Sequence, residues 1–86
     1  VLHTPGHSAG SVVILAEDVM LCGDTLFAGS CGRCDLPGGS EEDMMRSLKR
    51  LGRLEGDYQV CPGHGRLSSL ALERDVNPYM RQALCL

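Results

Sequence analysis

Two tripeptides of identical sequence, Pro5-Gly6-His7 and Pro62-Gly63-His64, each follow a short apolar segment, Val1-Leu2 in one case and Val60-Cys61 in the other. Proline stiffens a loop by fixing φ. Glycine lets the backbone turn with positive φ or approach a neighbour closely. A histidine at the tip of such a loop is therefore held in place, and a metal ligand must be placed within about 0.2 Å. Asp24 stands in a third position of the same kind, after the apolar run Val19–Cys22 and one glycine. Two imidazoles and a carboxylate at strand ends are a donor set suited to zinc or a similar ion. The same residues also make ordinary turns, and spacing alone leaves both readings open.

The segments between these loops read as mixed α and β structure. Ser11–Leu15 is β-branched and apolar, as is Val19–Cys22, and the polar pair Glu17-Asp18 between them predicts a hairpin. From Ala28 to Gly39 four glycines and a proline predict a long loop. A helix should begin at Ser40, with Ser40 and Asp43 as an approximate capping box. Its acidic start, Glu41 to Asp43, and basic end, Lys49, Arg50 and Arg53, match the helix dipole. Met44, Leu48 and Leu51 form its apolar face, and Gly52 should end it. Tyr58–Cys61 predicts another strand. A last helical region runs from Ser68 or Ser69 toward Ala83, broken near Asn77-Pro78. The expected class is one α/β (α+β) domain, or part of one.

Charge and length exclude several functions. With a net charge of −3 and mixed signs, the chain carries no basic surface of the kind nucleic acids require, so no nucleic-acid partner is expected. No apolar run approaches the roughly 20 residues needed to span a bilayer, and no membrane partner is expected. A chain of 86 residues buries a modest share of its surface, and this one has only Phe27, Tyr58 and Tyr79 as aromatic anchors. It also begins with valine, which points to a fragment. The five cysteines, odd in number and irregularly spaced, fit free thiols in a reducing cytoplasm better than a disulfide framework.

The ordered set of motifs resembles one family. His3-Thr4-Pro5-Gly6-His7-Ser8-Ala9-Gly10-Ser11 resembles the metal-binding loop of the glyoxalase II-like (hydroxyacylglutathione hydrolase-like) branch of the metallo-β-lactamase superfamily. Gly23-Asp24-Thr25-Leu26-Phe27 and Pro62-Gly63-His64-Gly65 are similar to its later motifs, in the same order. Gly29-Ser30, Gly32-Arg33, Asp35–Gly39, Glu73-Arg74 and Asn77-Pro78-Tyr79 resemble the branch as well, so the likeness covers nearly the whole chain. It implies the C-terminal half of an αββα sandwich, a mostly antiparallel sheet flanked by helices. Residues 1–86 would be the C-terminal part of a single domain. The family's H-x-H-x-D-H motif and the first half of the sandwich do not occur in this chain, whose only histidines are His3, His7 and His64.

The resemblance also implies roles. His7 would bind the first of two metal ions, the catalytic Asp24 would bridge both, and His64 would bind the second. His3 would not be a ligand. Zinc is the default metal, with iron or manganese possible. The activity implied is hydrolysis of a small-molecule thioester by a metal-bound hydroxide, cytoplasmic, with Arg33 a candidate contact for an anionic substrate. Two alternatives stand beside it: an iron-dependent persulfide dioxygenase on the same fold, and a truncated chain with no catalysis of its own. Cys31-Gly32-Arg33-Cys34 is a C-x-x-C, but it has no second pair to complete a zinc site and lies in a glycine-rich loop rather than at a helix start. The expectation is incidental thiols, with Cys22 and Cys61 as small buried hydrophobes and Met44 and Met45 as core.

Overall fold

The computed structural model describes all residues, Val1–Leu86. Its first elements are β1 (Leu2–His3), β2 (Val12–Ala16) and β3 (Val19–Gly23), successive antiparallel strands. The predicted hairpin is present, one residue later at β2 than the apolar run implied. Its turn is made by Glu17-Asp18, and Glu17 takes a left-handed φ of 55°. Next come β4 (Leu26–Phe27) and β5 (Ser30–Cys31), which pair as a small separate hairpin. This corrects the expectation of an unbroken loop from Ala28 to Gly39. Strands of two residues carry no periodicity that a sequence can display.

Helix α1 (Glu41–Gly52) then leads to β6 (Gln59–Pro62), β7 (Ser68–Ser69), α2 (Leu70–Val76) and α3 (Pro78–Leu84). The main sheet has the order β1-β2-β3-β6-β7, with β3 and β6 parallel and every other pair antiparallel. A parallel pair needs a crossover, and the segment holding β4, β5 and α1 provides it.

The helices start and stop where side chains can satisfy their free backbone groups. Ser40 Oγ accepts from Asp43 N, but the reciprocal half of the capping box is not made, because Ser40 N donates to Gly6 O at 2.7 Å. The start of α1 is thereby fixed to the first Pro-Gly-His loop. Asn77 ends α2 and caps α3, its Oδ1 accepting from Tyr79 N and Met80 N. Pro78 follows it at the first position of α3, where a missing N–H costs nothing.

One face of the sheet carries the core. Val13, Met20, Cys22 and Val60 point to the same side and pack with Met44, Leu48 and Leu51 of α1, Leu70 of α2, and Met80 and Ala83 of α3. Met45 is only partly buried, at the edge of this cluster. The helices thus cover one side of the sheet. On the other side Val12, Ile14 and Leu21 are exposed by 41%, 41% and 44%. Cys61 pairs with Leu21 and is half-buried rather than buried as expected. Strand β2, Val-Val-Ile-Leu-Ala, is apolar on both faces, the composition of a strand made to be covered on both.

A buried polar network joins the helices to the β4–β5 hairpin. Glu73, 1% exposed, accepts from Gly29 N and Asn77 Nδ2 through Oε1 and from Ser68 Oγ through Oε2. Asn77 Nδ2 also reaches Ser30 O at 3.0 Å. Arg74 donates to the carbonyls of Gly52, Leu54 and Gly56 and fixes the turn between α1 and β6. Asn77→Ala would remove a helix cap and orphan buried partners at once, at a cost of about 2–4 kcal/mol. Arg46→Ala, which loses only exposed ion pairs with Glu42 and Asp43, should cost less than about 0.5 kcal/mol. Denaturant unfolding of the two variants checks the difference.

Candidate metal centre

The three loops named by the sequence meet at one end of the sheet. Asp24 directly follows β3 and His64 follows β6, and the parallel pairing of these strands sets the two residues side by side. Gly63 N donates to Gly23 O at 2.7 Å and locks the second loop against the first. The His7 loop is tied down from several directions. Thr4 Oγ1 and Thr25 Oγ1 share a buried hydrogen bond of 3.1 Å. Ser47 Oγ donates to Pro5 O at 2.7 Å. Gly6 has φ +153°, and a Cβ there would lie 2.6 Å from Met44 Cα. That position admits no side chain.

Asp24 lies between the two histidines. His64 Nδ1 is 3.1 Å from Asp24 Oδ1, and His7 Nε2 is 3.5 Å from Asp24 Oδ2. The edge of His64 also meets the Phe27 ring, with centroids 6.2 Å apart. His7 Nδ1 is 2.9 Å from Arg33 O. A carbonyl oxygen can only accept, so Nδ1 carries a proton, and Nε2 is the ring atom turned to the Asp24 carboxylate. An imidazole nitrogen and a carboxylate oxygen placed 3.5 Å apart are both atoms of the kind that ligate zinc and similar ions. The donor chemistry therefore fits a metal ion. The set is incomplete, because no group of three or more His, Cys, Asp or Glu side chains in the chain converges so as to hold a metal ion by itself.

The other candidates fall outside this cluster. His3 Nε2 bonds Ala9 O at 2.7 Å and closes its own loop, in keeping with a structural role. The Arg33 guanidinium makes a two-pronged pair with the exposed Asp35, at 2.8 and 2.9 Å, which holds the Asp35 carboxyl below its usual range. What Arg33 brings to the cluster is its backbone carbonyl, and no sequence pattern reports a carbonyl's partner. Gly32 was likewise unassigned. A Cβ on it would lie 1.7 Å from Asp24 O and 3.2 Å from His7 Cβ, so only glycine lets this segment close on the site.

The cysteines are free. Burial, and then the nearby Cys61, push the Cys22 thiol up to about 12. Burial, then Cys34 and Glu41, push Cys31 up to about 11. The thiolate is the reactive form, so neither is activated at neutral pH.

With this geometry established, the relationships of the chain are plain. Residues 1–64 match the family model of the Metallo-beta-lactamase superfamily, and the chain belongs to that superfamily. It is 43% identical over 79 residues to a hydroxyacylglutathione hydrolase of Shewanella pealeana, an overlap covering 91% of this chain and 29% of that protein. The crystal structure of TTHA1623 in a di-iron-bound form superimposes with a TM-score of 0.87 at 46% identity, covering 92% of this chain and 41% of that one. The structure of ETHE1 from Myxococcus xanthus does so with a TM-score of 0.84 at 35% identity, covering 90% and 36%. The chain thus spans well under half the length of these proteins. The α/β class and the metallo-β-lactamase fold read from the motifs hold. No helix is long and apolar enough to cross a membrane.

The thiol environments give a direct test. Under native conditions at pH 8, iodoacetamide should modify the exposed Cys85 well before Cys22. Peptide mass mapping along a time course checks the order, and equal rates would contradict the buried position of Cys22.

Proposed function

We propose that the protein to which this chain belongs is a metal-dependent hydrolase of thioesters, of the hydroxyacylglutathione type. In this reading residues 1–86 form the C-terminal part of its single domain. His7, Asp24 and His64 would be this chain's share of the ligands of a two-metal site, with Asp24 the ligand shared by both ions. The observation that carries the reading is the Asp24 carboxylate lying between the two rings, one oxygen facing His7 Nε2 and the other His64 Nδ1. The named Shewanella relative supports the thioester class.

The residues present have defined tasks in such a site. Bound metal ions supply Lewis acidity and an acidified water at neutral pH. Arg33 O holds the Nδ1 proton of His7 and aims Nε2 at Asp24, the supporting contact that tunes metal-ligating histidines. Gly32 packs the loop against Asp24 without a side chain between them. Arg33 is a candidate contact for the anionic part of a substrate once its guanidinium leaves Asp35. The apolar sheet face of Val12, Ile14 and Leu21 is the surface that the remainder of the sandwich covers. Zinc is the proposed metal and the cytoplasm the proposed compartment. An iron-dependent persulfide dioxygenase is the second reading, and the iron in the TTHA1623 structure fits an iron enzyme of this fold as well. The dioxygenase would use a single iron, so metal content and oxygen dependence separate the two.

Elemental analysis and thioesterase assays should compare the 86-residue chain with a version extended at its N-terminus to supply the remaining ligands. The expected result is weak metal binding and no turnover by the chain alone, and about two metals with thioester hydrolysis by the extended protein. Hydrolysis of a lactoyl-glutathione-type substrate by the 86-residue chain would overturn the half-site assignment. In the extended protein Asp24→Ala should lose most of the bound metal while His3→Ala retains it. Equal metal content in the two variants would refute a bridging Asp24.

A further inference from the structure

Gly32 and Arg33, whose backbone closes on Asp24 and holds His7, are the two residues between Cys31 and Cys34. Both thiols line one cavity of about 390 Å³ with Glu41, Met45 and Tyr79. Both cysteines are partly exposed. The segment is not curled into a turn: Gly32 N donates to Thr25 O, and no backbone hydrogen bond links Cys34 to Cys31. A disulfide between them requires Cα atoms about 4.4–6.8 Å apart and a tightly closed four-residue ring. Closing that ring must bend Gly32-Arg33. Gly32 is in van der Waals contact with the Asp24 backbone, and the Arg33 carbonyl is the partner of His7 Nδ1, so the bend cannot leave the site as it is.

We propose that Cys31 and Cys34 are a modification site for oxidants of the low-molecular-weight disulfide class, and that a Cys31–Cys34 bond withdraws the Gly32-Arg33 backbone from Asp24 and His7. The thiol chemistry stands on the geometry of the segment. Its effect on metal rests on the function proposed above. In the reaction, one cysteine thiolate attacks a sulfur of the reagent and expels one thiolate, giving a mixed disulfide. The second cysteine attacks that bond, forms Cys31–Cys34 and expels the other half. Two electrons pass from the protein to the reagent, and the two protons released by the cysteines leave on the two product thiols. Burial disfavours the anionic form of both thiols, with Cys34 and then Glu41 adding to this at Cys31, and Glu41 and then Asp35 at Cys34. The reaction is therefore faster at alkaline pH.

The test treats the chain with bis(2-hydroxyethyl) disulfide at alkaline pH. Free thiols are then blocked for peptide mapping, and the His7 ring is followed by nitrogen-15 NMR. The expected result is an intramolecular Cys31–Cys34 bond with loss of the His7 Nδ1–H signal hydrogen-bonded to Arg33 O. Cys34→Ser should show no change in that signal, and Cys34→Ala serves as a second control if the hydroxyl disturbs packing. In the N-terminally extended protein, oxidation should weaken metal retention about tenfold or more. Cys31 and Cys34 remaining reduced while Cys85 reacts would overturn the proposal. So would a Cys31–Cys34 bond that leaves the His7 ring unchanged. If the reduced extended protein holds no metal, the metal reading fails, while the mapping and ring signals still decide the thiol proposal.

Discussion

The parallel pairing of β3 with β6 is the constraint on which the rest of the structure depends. Antiparallel neighbours end at opposite edges of a sheet, whereas parallel neighbours end together. Only through this pair can Asp24 and His64, forty residues apart in sequence, leave adjacent strands at the same edge. The register shifts between Leu21 and Gly23, just before Asp24, and the Gly63 N to Gly23 O bond closes the irregularity. The crossover that the parallel pair requires carries the β4–β5 hairpin and α1. These are the elements that hold the His7 loop through Ser40, Ser47 and the Arg33 carbonyl. Topology and site are therefore one arrangement.

The polar groups away from the sheet edge serve the same end. Glu73 and Asn77 are buried among apolar side chains, yet every buried side-chain nitrogen and oxygen has a partner. A satisfied network of this kind rigidifies, because its groups have no water to exchange with. It fastens the α2–α3 junction to Gly29 and Ser30, and so steadies the strand that leads into Gly32.

Much of this was legible in the sequence, and the missed features share a cause. The hairpin, α1 with its Met44, Leu48 and Leu51 face, and the break at Asn77-Pro78 are local patterns, visible in spacing and capping residues. His7, Asp24 and His64 stood out because proline and glycine mark rigid loops at strand ends. The β4–β5 hairpin was invisible because Leu26-Phe27 and Ser30-Cys31 are too short for any period. The Glu73 and Arg74 contacts were invisible because they link distant carbonyls, amides and hydroxyls. Gly32 looked like one more loop glycine, since the Asp24 carbonyl that excludes its Cβ is a long-range neighbour. The sheet's second face was half legible. Its apolar residues were evident, but nothing local told which side the helices would take.

The two apolar faces of β2 have a further consequence. In most strands the alternation of apolar and polar residues penalises a slip of one position. Val12–Ala16 offers no such penalty, since either phase presents hydrocarbon to the core. Alignment with β3 then leans on the connection, a two-residue turn in which Glu17 adopts a left-handed φ of 55°. Asp24 leaves β3 at the opposite end of this hairpin. The alignment of β2 beside the strand that carries the carboxylate is thus set at the far rim of the sheet, in the handedness of a residue that never approaches the histidines.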